Sequence, residues 1–420
     1  MYDYTIYYVL SWFVGGISLL ALAFFLVRNV TFKEIFLRPA IIISVLVLIG
    51  AIFFGTYSYK TYAPDFAMPP FMHTMAPGGL APYLPLANIS KFFASEPNFP
   101  RIEDIGADYN AVPPPITRTT SETVEFNLTA TEVISEIAPN IYFNFWTYNK
   151  QVPGPMLRVR TGDTVVINLT NDITSLHTHN IDLHSVNGPG GGATLTNVVP
   201  GETKSFKWKA VQPGIYVYHC ATANVSTHSS HGQYGLILVE PEEGLPKVDK
   251  EFYVMQGELY TQGDIGRQGM TVFDAKKLID GNPTYVTFNG RIEKETGMEI
   301  NRGERVRMYV GNGGVNLVSS FHIIGEIFDT VYPEGAMGKN SALFKNVQTT
   351  IIPAGGAAVV EFVAEVPGKL VLVDHALARM NKGAWATAIV KGDENPEIFS
   401  EIKSNTTTAG IMPTMNHHGY

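Results

Sequence analysis

The segment PGIYVYHCATANVSTHSSHGQYG, Pro213 to Gly235, holds the only cysteine of the chain and reads as a strand that runs into a ligand loop. Ile215 to His219 is a short β-branched and aromatic run behind a Pro-Gly turn. Cys220 closes it, His228 follows eight residues later, and Gln233 comes five after that. Upstream, HNIDLH (His179 to His184) sets another histidine in a separate loop. A lone cysteine can be a packed apolar residue, a nucleophile or a ligand. Here the counted spacing favours the ligand: one thiolate, two imidazoles and a weak axial oxygen suit a type 1 copper ion in trigonal geometry.

Working outward, the chain from Glu122 onward alternates short strands with turn punctuation, the pattern of a β-sandwich. Thr164 to Leu169, Ser205 to Ala210 and Leu236 to Val239 are further examples. The pattern then repeats. Gly162-Asp163-Thr164 through Asn171 is echoed by Gly303-Glu304-Arg305 through Asn312, and Trp208 with Pro213-Gly214 by Phe362 with Pro367-Gly368. Two copies of one sandwich are therefore expected. One early His, then Cys, His and an axial donor on one late loop, is the chain order of a cupredoxin. Aligning the Pro-Gly turns sets Asp374 opposite Cys220, so the second copy lacks the sulfur ligand but keeps His322 and His375 near the matching strand ends.

His219 adjoins Cys220 on a strand, so their side chains point to opposite faces. If Cys220 faces one copper, His219 faces elsewhere, and with His184 it offers two nitrogens to a second metal. An open catalytic site usually has three protein ligands, which directs attention to the second copy.

Charged residues make up only 16% of the 420 residues against 45% hydrophobic, and the formal net charge is −8. With no basic run, this argues against nucleic acid as a partner. One cysteine excludes a disulfide framework within the chain. Tyr4 to Val27 and Pro39 to Tyr59 carry no charge, and each is long enough for a bilayer core, which takes ~20 residues. Arg28, Lys33 and Arg38 in the loop between them put that loop in the cytoplasm and both chain ends outside. We expect a transmembrane helical hairpin over residues 1–60 and a Pro/Gly/Met-rich extended linker over 61–118. Cupredoxin domains are expected over 119–242 and 243–398, and a flexible tail over 399–420. Met68, Met72, His73 and Met75 of the linker, and Met412, Met415, His417 and His418 of the tail, are read as chain filler rather than copper carriers.

The stretch from about Val152 to Ile398 resembles the copper-containing nitrite reductases, in particular their second class. The matching segments are HNIDLH, PGGGAT, VQPGIYVYHC, GQYGLILVEPEEGLPKVDKEFYVMQG, VRMYVGNGG, VSSFHIIGEIFD, VDHALARMNKGAW and ENPEI. The resemblance implies a homotrimer that reduces nitrite to nitric oxide with electrons from a cupredoxin or cytochrome c. Type 1 copper then falls to His179, Cys220, His228 and Gln233. Type 2 copper falls to His184 and His219 with His375 of a neighbouring subunit. Asp182 and His322 take the proton-handling positions, and Ile324 crowds the substrate. With the hairpin, the enzyme is expected on the inner membrane with its soluble domains outside the cytoplasm.

Where the family has Met this chain has Gln233, whose amide oxygen is a harder donor that favours Cu(II) and lowers the type 1 potential. The loop Ala221 to Gly235 is polar for the family, and its His231, like His177 in HTH, reads as a surface or supporting histidine. His-Cys-Ala replaces the His-Cys-His of a trinuclear oxidase. Two rivals remain: another N-oxide redox enzyme on this scaffold, or a non-catalytic electron carrier. A carrier would need only the type 1 set.

Overall fold

A computed structural model describes residues 13–21, 23, 42–52, 98–292 and 294–402. From Arg101 to Lys391 it is an all-β structure with a few short helical turns. The strands of the first half are β1 (Arg101–Ile102), β2 (Thr123–Ala138), β3 (Ile141–Tyr148), β4 (Leu157–Arg160), β5 (Thr164–Asn171), β6 (Asp182–Leu183), β7 (Thr203–Lys209), β8 (Gly214–His219) and β9 (Tyr234–Glu240). Those of the second half are β10 (Lys250–Leu259), β11 (Gly269–Met270), β12 (Tyr285–Phe288), β13 (Lys294–Asn301), β14 (Arg305–Asn312), β15 (Ser319–Ile324), β16 (Thr330–Tyr332), β17 (Thr349–Ile352), β18 (Ala357–Val363), β19 (Gly368–Asp374) and β20 (Trp385–Lys391). Helix α1 (Val225–Ser230) interrupts the ligand loop, and α2 (Ala275–Ile279) follows β11.

Four sheets result: β11-β3-β2-β5-β7 with β1 beside β2, β4-β9-β8-β6, β12-β10-β14-β18-β16, and β13-β20-β19-β15-β17. Each half is a sandwich around its own core, Leu128, Val165, Ile167, Tyr218, Cys220 and Ile237 in the first, Val254, Met308, Phe321, Leu372 and Ala388 in the second. A third core joins them through Phe145, Val217, Leu236, Tyr253 and Tyr309. The patterns follow from where each strand lies. In β5 the inward Val165, Ile167 and Leu169 alternate with half-buried residues. In β9 every residue is buried, because Ile237 and Val239 face the first core while Leu236 and Leu238 face the joint.

The repeated segments occupy equivalent places. β5 pairs parallel with β2 and antiparallel with β7, as β14 does with β10 and β18. Asn171 and Asn312 both donate side-chain amides to loop carbonyls, Asn171 to Val198 at 3.0 Å and Asn312 to Ile352 at 3.2 Å. Where Cys220 follows β8, β19 ends on Asp374. This buried carboxylate accepts from Arg379 Nη1 at 2.6 Å and Gln256 Nε2 at 3.1 Å. An ion pair fills the position that the first half gives to sulfur.

The halves are also tied by charge. Arg158 of β4 reaches Glu240 of β9 and, at 2.7 Å, Glu251 of β10; Arg307 of β14 reaches Glu251 at 3.2 Å and Glu361 of β18 at 2.6 Å. Residues 98–118, in the stretch expected to be linker, form a strap without regular structure beyond β1. Phe99, Ile105 and Tyr109 are buried, and the Tyr109 hydroxyl donates to the Phe288 carbonyl at 3.0 Å.

Among the described residues no helix is long and apolar enough to cross a membrane. Of the two expected spans, helical stretches 13–21 and 42–52 are described, and the rest lies outside the described residues. Small residues face inward there: Gly15 and Ser18 are buried, and a Cβ on Gly15 would touch Ala51 Cβ at 3.5 Å. Phe13, Ile17, Leu20, Leu46 and Ile49 point outward. The methionine-rich linker segment and most of the tail lie outside the described residues as well.

Candidate metal centres

The end of β8 divides the chemistry. His219 is its last residue and pairs with Asp182 of β6. Cys220, next along, turns into the first core with no solvent exposure. His179, Cys220 and His228 converge as one donor group, and Asp182, His184 and His219 as another.

In the first group, Cys220 Sγ is 3.3 Å from His228 Nδ1, and the sulfur also accepts the Asn180 N–H at 3.4 Å. Helix α1 delivers His228, while the Cys220 N–H bonded to the Gln233 carbonyl at 3.1 Å clamps the loop ends together. Gln233 is buried with Oε1 3.4 Å from His228 Nδ1. Burial alone would raise the Cys220 thiol, but His228 and His179 hold it well below its ordinary range, the state in which cysteine binds metal. Burial likewise depresses His179, yet Cys220 and Glu132 outweigh it and lift the imidazole to about 9. Both ring nitrogens of His179 and the Nε2 of Gln233 are buried without hydrogen-bond partners. Buried polar atoms are ordinarily paired; of these orphans His179 Nδ1 is the one that can offer a lone pair to an ion beside the thiolate, since Gln233 Nε2 is an amide donor and His179 Nε2 faces Glu132. A soft S, N, N set with a weak amide oxygen fits copper.

In the second group, His184 and His219 bring their Nε2 atoms within 3.1 Å, and His219 fixes its other nitrogen by donating to the Cys220 carbonyl at 3.0 Å. That second contact sets the tautomer, as metal-binding histidines require. Burial pushes the Asp182 carboxyl upward. The PGGGAT turn is shaped around it: Gly191 has φ 56°, and a Cβ there would collide with Asp182 Oδ1. Gly192, at φ 106°, lies against the Phe206 ring.

His322 and His375 form a separate pair with ring centroids 5.4 Å apart, and neither belongs to the second donor group of its own chain. His322 Nδ1 donates to the Gln348 carbonyl at 2.6 Å. His375 is exposed, and so are Val318, Ile324, Ile327 and Leu377.

The two loop histidines differ: His231 is buried, whereas His177 is partly exposed at the edge of the first donor group. His231 donates Nδ1 to the Thr227 carbonyl at 2.6 Å and stacks on Trp146 at 4.2 Å. Burial drives its imidazole down to about 3, so it is a neutral packing residue. His177 stacks on the same Trp146 at 4.3 Å and binds Glu132. Trp146 also touches His228 edge-on at 4.5 Å. Trp146 and Glu132 are absent from the reading of the sequence. Trp146 lies on β3 and Glu132 on β2, far along the chain from the ligand loop, and Glu132 is one of three glutamates in β2, so nothing local sets it apart.

A multicopper oxidase family model matches residues 132–244. The copper-containing nitrite reductase of Neisseria meningitidis serogroup A is 49% identical over 315 residues, which are 74% of this chain and 81% of that protein. The copper-containing nitrite reductase of Neorhizobium galegae is 32% identical over 309 residues, 68% of this chain and 79% of the relative. Among solved structures, the copper nitrite reductase from Nitrosomonas europaea superposes with a TM-score of 0.57 at 33% identity. That match covers 66% of this chain and 96% of that one.

Proposed function

The chain belongs to the copper-containing nitrite reductases, and on that premise we propose that its two donor groups divide the work as type 1 and type 2 copper sites. The activity is copper-dependent reduction of nitrite to nitric oxide. His179, Cys220, His228 and Gln233 are the type 1 set; His184 and His219, with His375 of a neighbouring copy, are the type 2 set. The observation that carries this division is the His219-Cys220 step, where adjacent residues enter different donor groups.

Bound copper supplies a one-electron carrier at the first site and a Lewis acid for an oxyanion at the second. The residues around it do the rest. The His219-Cys220 peptide links the donor groups covalently. Asp182, kept protonatable by burial, and His322, with Nδ1 committed to Gln348, are the proton pair. Ile324 supplies an apolar wall for the substrate.

A homotrimer completes the second site. Each chain offers two imidazoles at one place and the exposed His375, amid apolar surface, at another. The N-terminal segments are a membrane anchor. Small residues pack between the helices and large apolar ones face out, the arrangement of helices in lipid. The uncharged runs around them reach spanning length. The enzymatic part sits outside the cytoplasm, where a cupredoxin or cytochrome c donates electrons.

The test is copper counting with anaerobic nitrite turnover on the detergent-solubilised protein. His375→Ala is expected to lose type 2 copper and keep the thiolate band. Mixing it with His184→Ala subunits in one trimer restores some sites. No recovery in demonstrated mixed trimers would sink the shared site.

A further inference from the structure

Glu132 is a carboxylate sealed in the wall of the first metal site, and none of the roles above uses it. It lies on β2 opposite Trp146 of β3, without solvent exposure. Its Oε1 accepts the Leu176 N–H at 2.7 Å, the His177 N–H at 2.8 Å and the His177 Nδ1 at 2.9 Å. The same oxygen stands 3.6 Å from Nε2 of the ligand His179. Oε2 is buried without a partner. Three donors on one oxygen describe an ionised carboxylate, and both of its ionic contacts are imidazoles.

We propose that Glu132 positions His179 through Nε2, leaving Nδ1 for the metal, and that its buried charge holds the first copper toward its oxidised state. The inference rests on the type 1 assignment. An anion one imidazole away from the ion stabilises Cu(II) more than Cu(I), because the oxidised ion carries one more positive charge. Sealed from water, that charge acts through a lower effective dielectric than a surface group would. Partners of metal-bound histidines tune the metal in this way. Gln233 acts in the same direction from the axial side, so the site carries two independent devices that lower its potential.

The competing role is mechanical. The two backbone N–H groups bound to Oε1 anchor the loop before His179, and a neutral amide oxygen would do that equally well. Glu132→Gln therefore separates charge from anchoring. The parent and the variant are compared in three measurements: copper per chain, the thiolate charge-transfer band, and a redox titration of that band. Glu132→Gln is expected to keep the band and to raise the Cu(I)/Cu(II) ratio at fixed poise by at least about tenfold, ~59 mV for a one-electron couple. A band at an unchanged or lower potential overturns the proposal. If the parent shows no thiolate band, the type 1 assignment itself has failed. If Glu132→Gln does not hold copper, Glu132→Asp decides. A potential near the parent's supports a role for the charge, and a raised one puts the effect in geometry and overturns it.

Discussion

Gln233→Met separates two things that one amide does at once. Gln233 is fully buried with Nε2 unpartnered and Oε1 in a long, 3.4 Å contact with His228. A desolvated donor without a partner costs ~1–3 kcal/mol, and a net hydrogen bond is worth about 0.5–1.5 kcal/mol. A thioether of similar length removes the cost and loses the contact. The difference leaves the copper-free variant more stable by about 1 kcal/mol. On the proposed type 1 assignment, the same change in the copper-loaded protein would exchange a hard oxygen donor for a soft sulfur, and is expected to raise the potential and shift the charge-transfer spectrum without loss of copper. Chemical denaturation of the copper-free pair reads the first effect, and redox titration of the loaded pair reads the second. Equal potentials would mean that Gln233 is not the axial ligand. Lower copper-free stability would mean that Nε2 has an acceptor, against the packing described.

Gly191→Ala places a methyl against the Asp182 carboxylate at a left-handed φ, so nitrite turnover falls sharply while the thiolate band of the first site stays; unchanged turnover would free Asp182 from that turn. Burial and the nearby Glu365 push the Glu326 carboxyl up to about 7. The folded state then binds this proton more tightly than the unfolded one, and stability drains as pH rises from about 4.5 through about 7. Glu326→Gln should accordingly gain thermal stability at pH 8 relative to the parent and not at pH 4.

What could be read from the sequence was what lies close together in it. Cys220, His228 and Gln233 share one loop, so counting residues was enough to group them, and His219 followed from strand alternation. The repeat of Gly162–Asn171 at Gly303–Asn312 was visible because both segments answer to the same pairing partners in their sheets. Contacts between distant segments were hidden. Glu132 meets His177 only because β2 passes under the loop that precedes His179, and nothing local marks that crossing. His231 reads as a surface or supporting residue because its neighbours in sequence are Ser and Gly. Its neighbours in space are Trp146, Phe143 and Phe273. The strap over residues 98–118 reads as linker because its anchors, Phe99, Ile105 and Tyr109, are spaced irregularly and pack singly.

The charge chain through Arg158, Glu251 and Arg307 bears on how this molecule can be divided. Glu251 belongs to the second half and is shared between one guanidinium from each half, while both arginine side chains are only 2% exposed. β11, also from the second half, closes the free edge of β3 in the first. A cut near residue 245 would therefore leave one product with Arg158 short of a carboxylate and a bare sheet edge. The other product would hold Glu251 with half of its counter-charge missing. Arg158 keeps Glu240 and Arg307 keeps Glu361, so the larger loss is the shared apolar core of Phe145, Val217, Leu236, Tyr253 and Tyr309, which the cut would expose to water. The halves look like modules in sequence, but thermodynamically they are one cooperative unit, and calorimetry should record a single transition for the segment from the strap to β20.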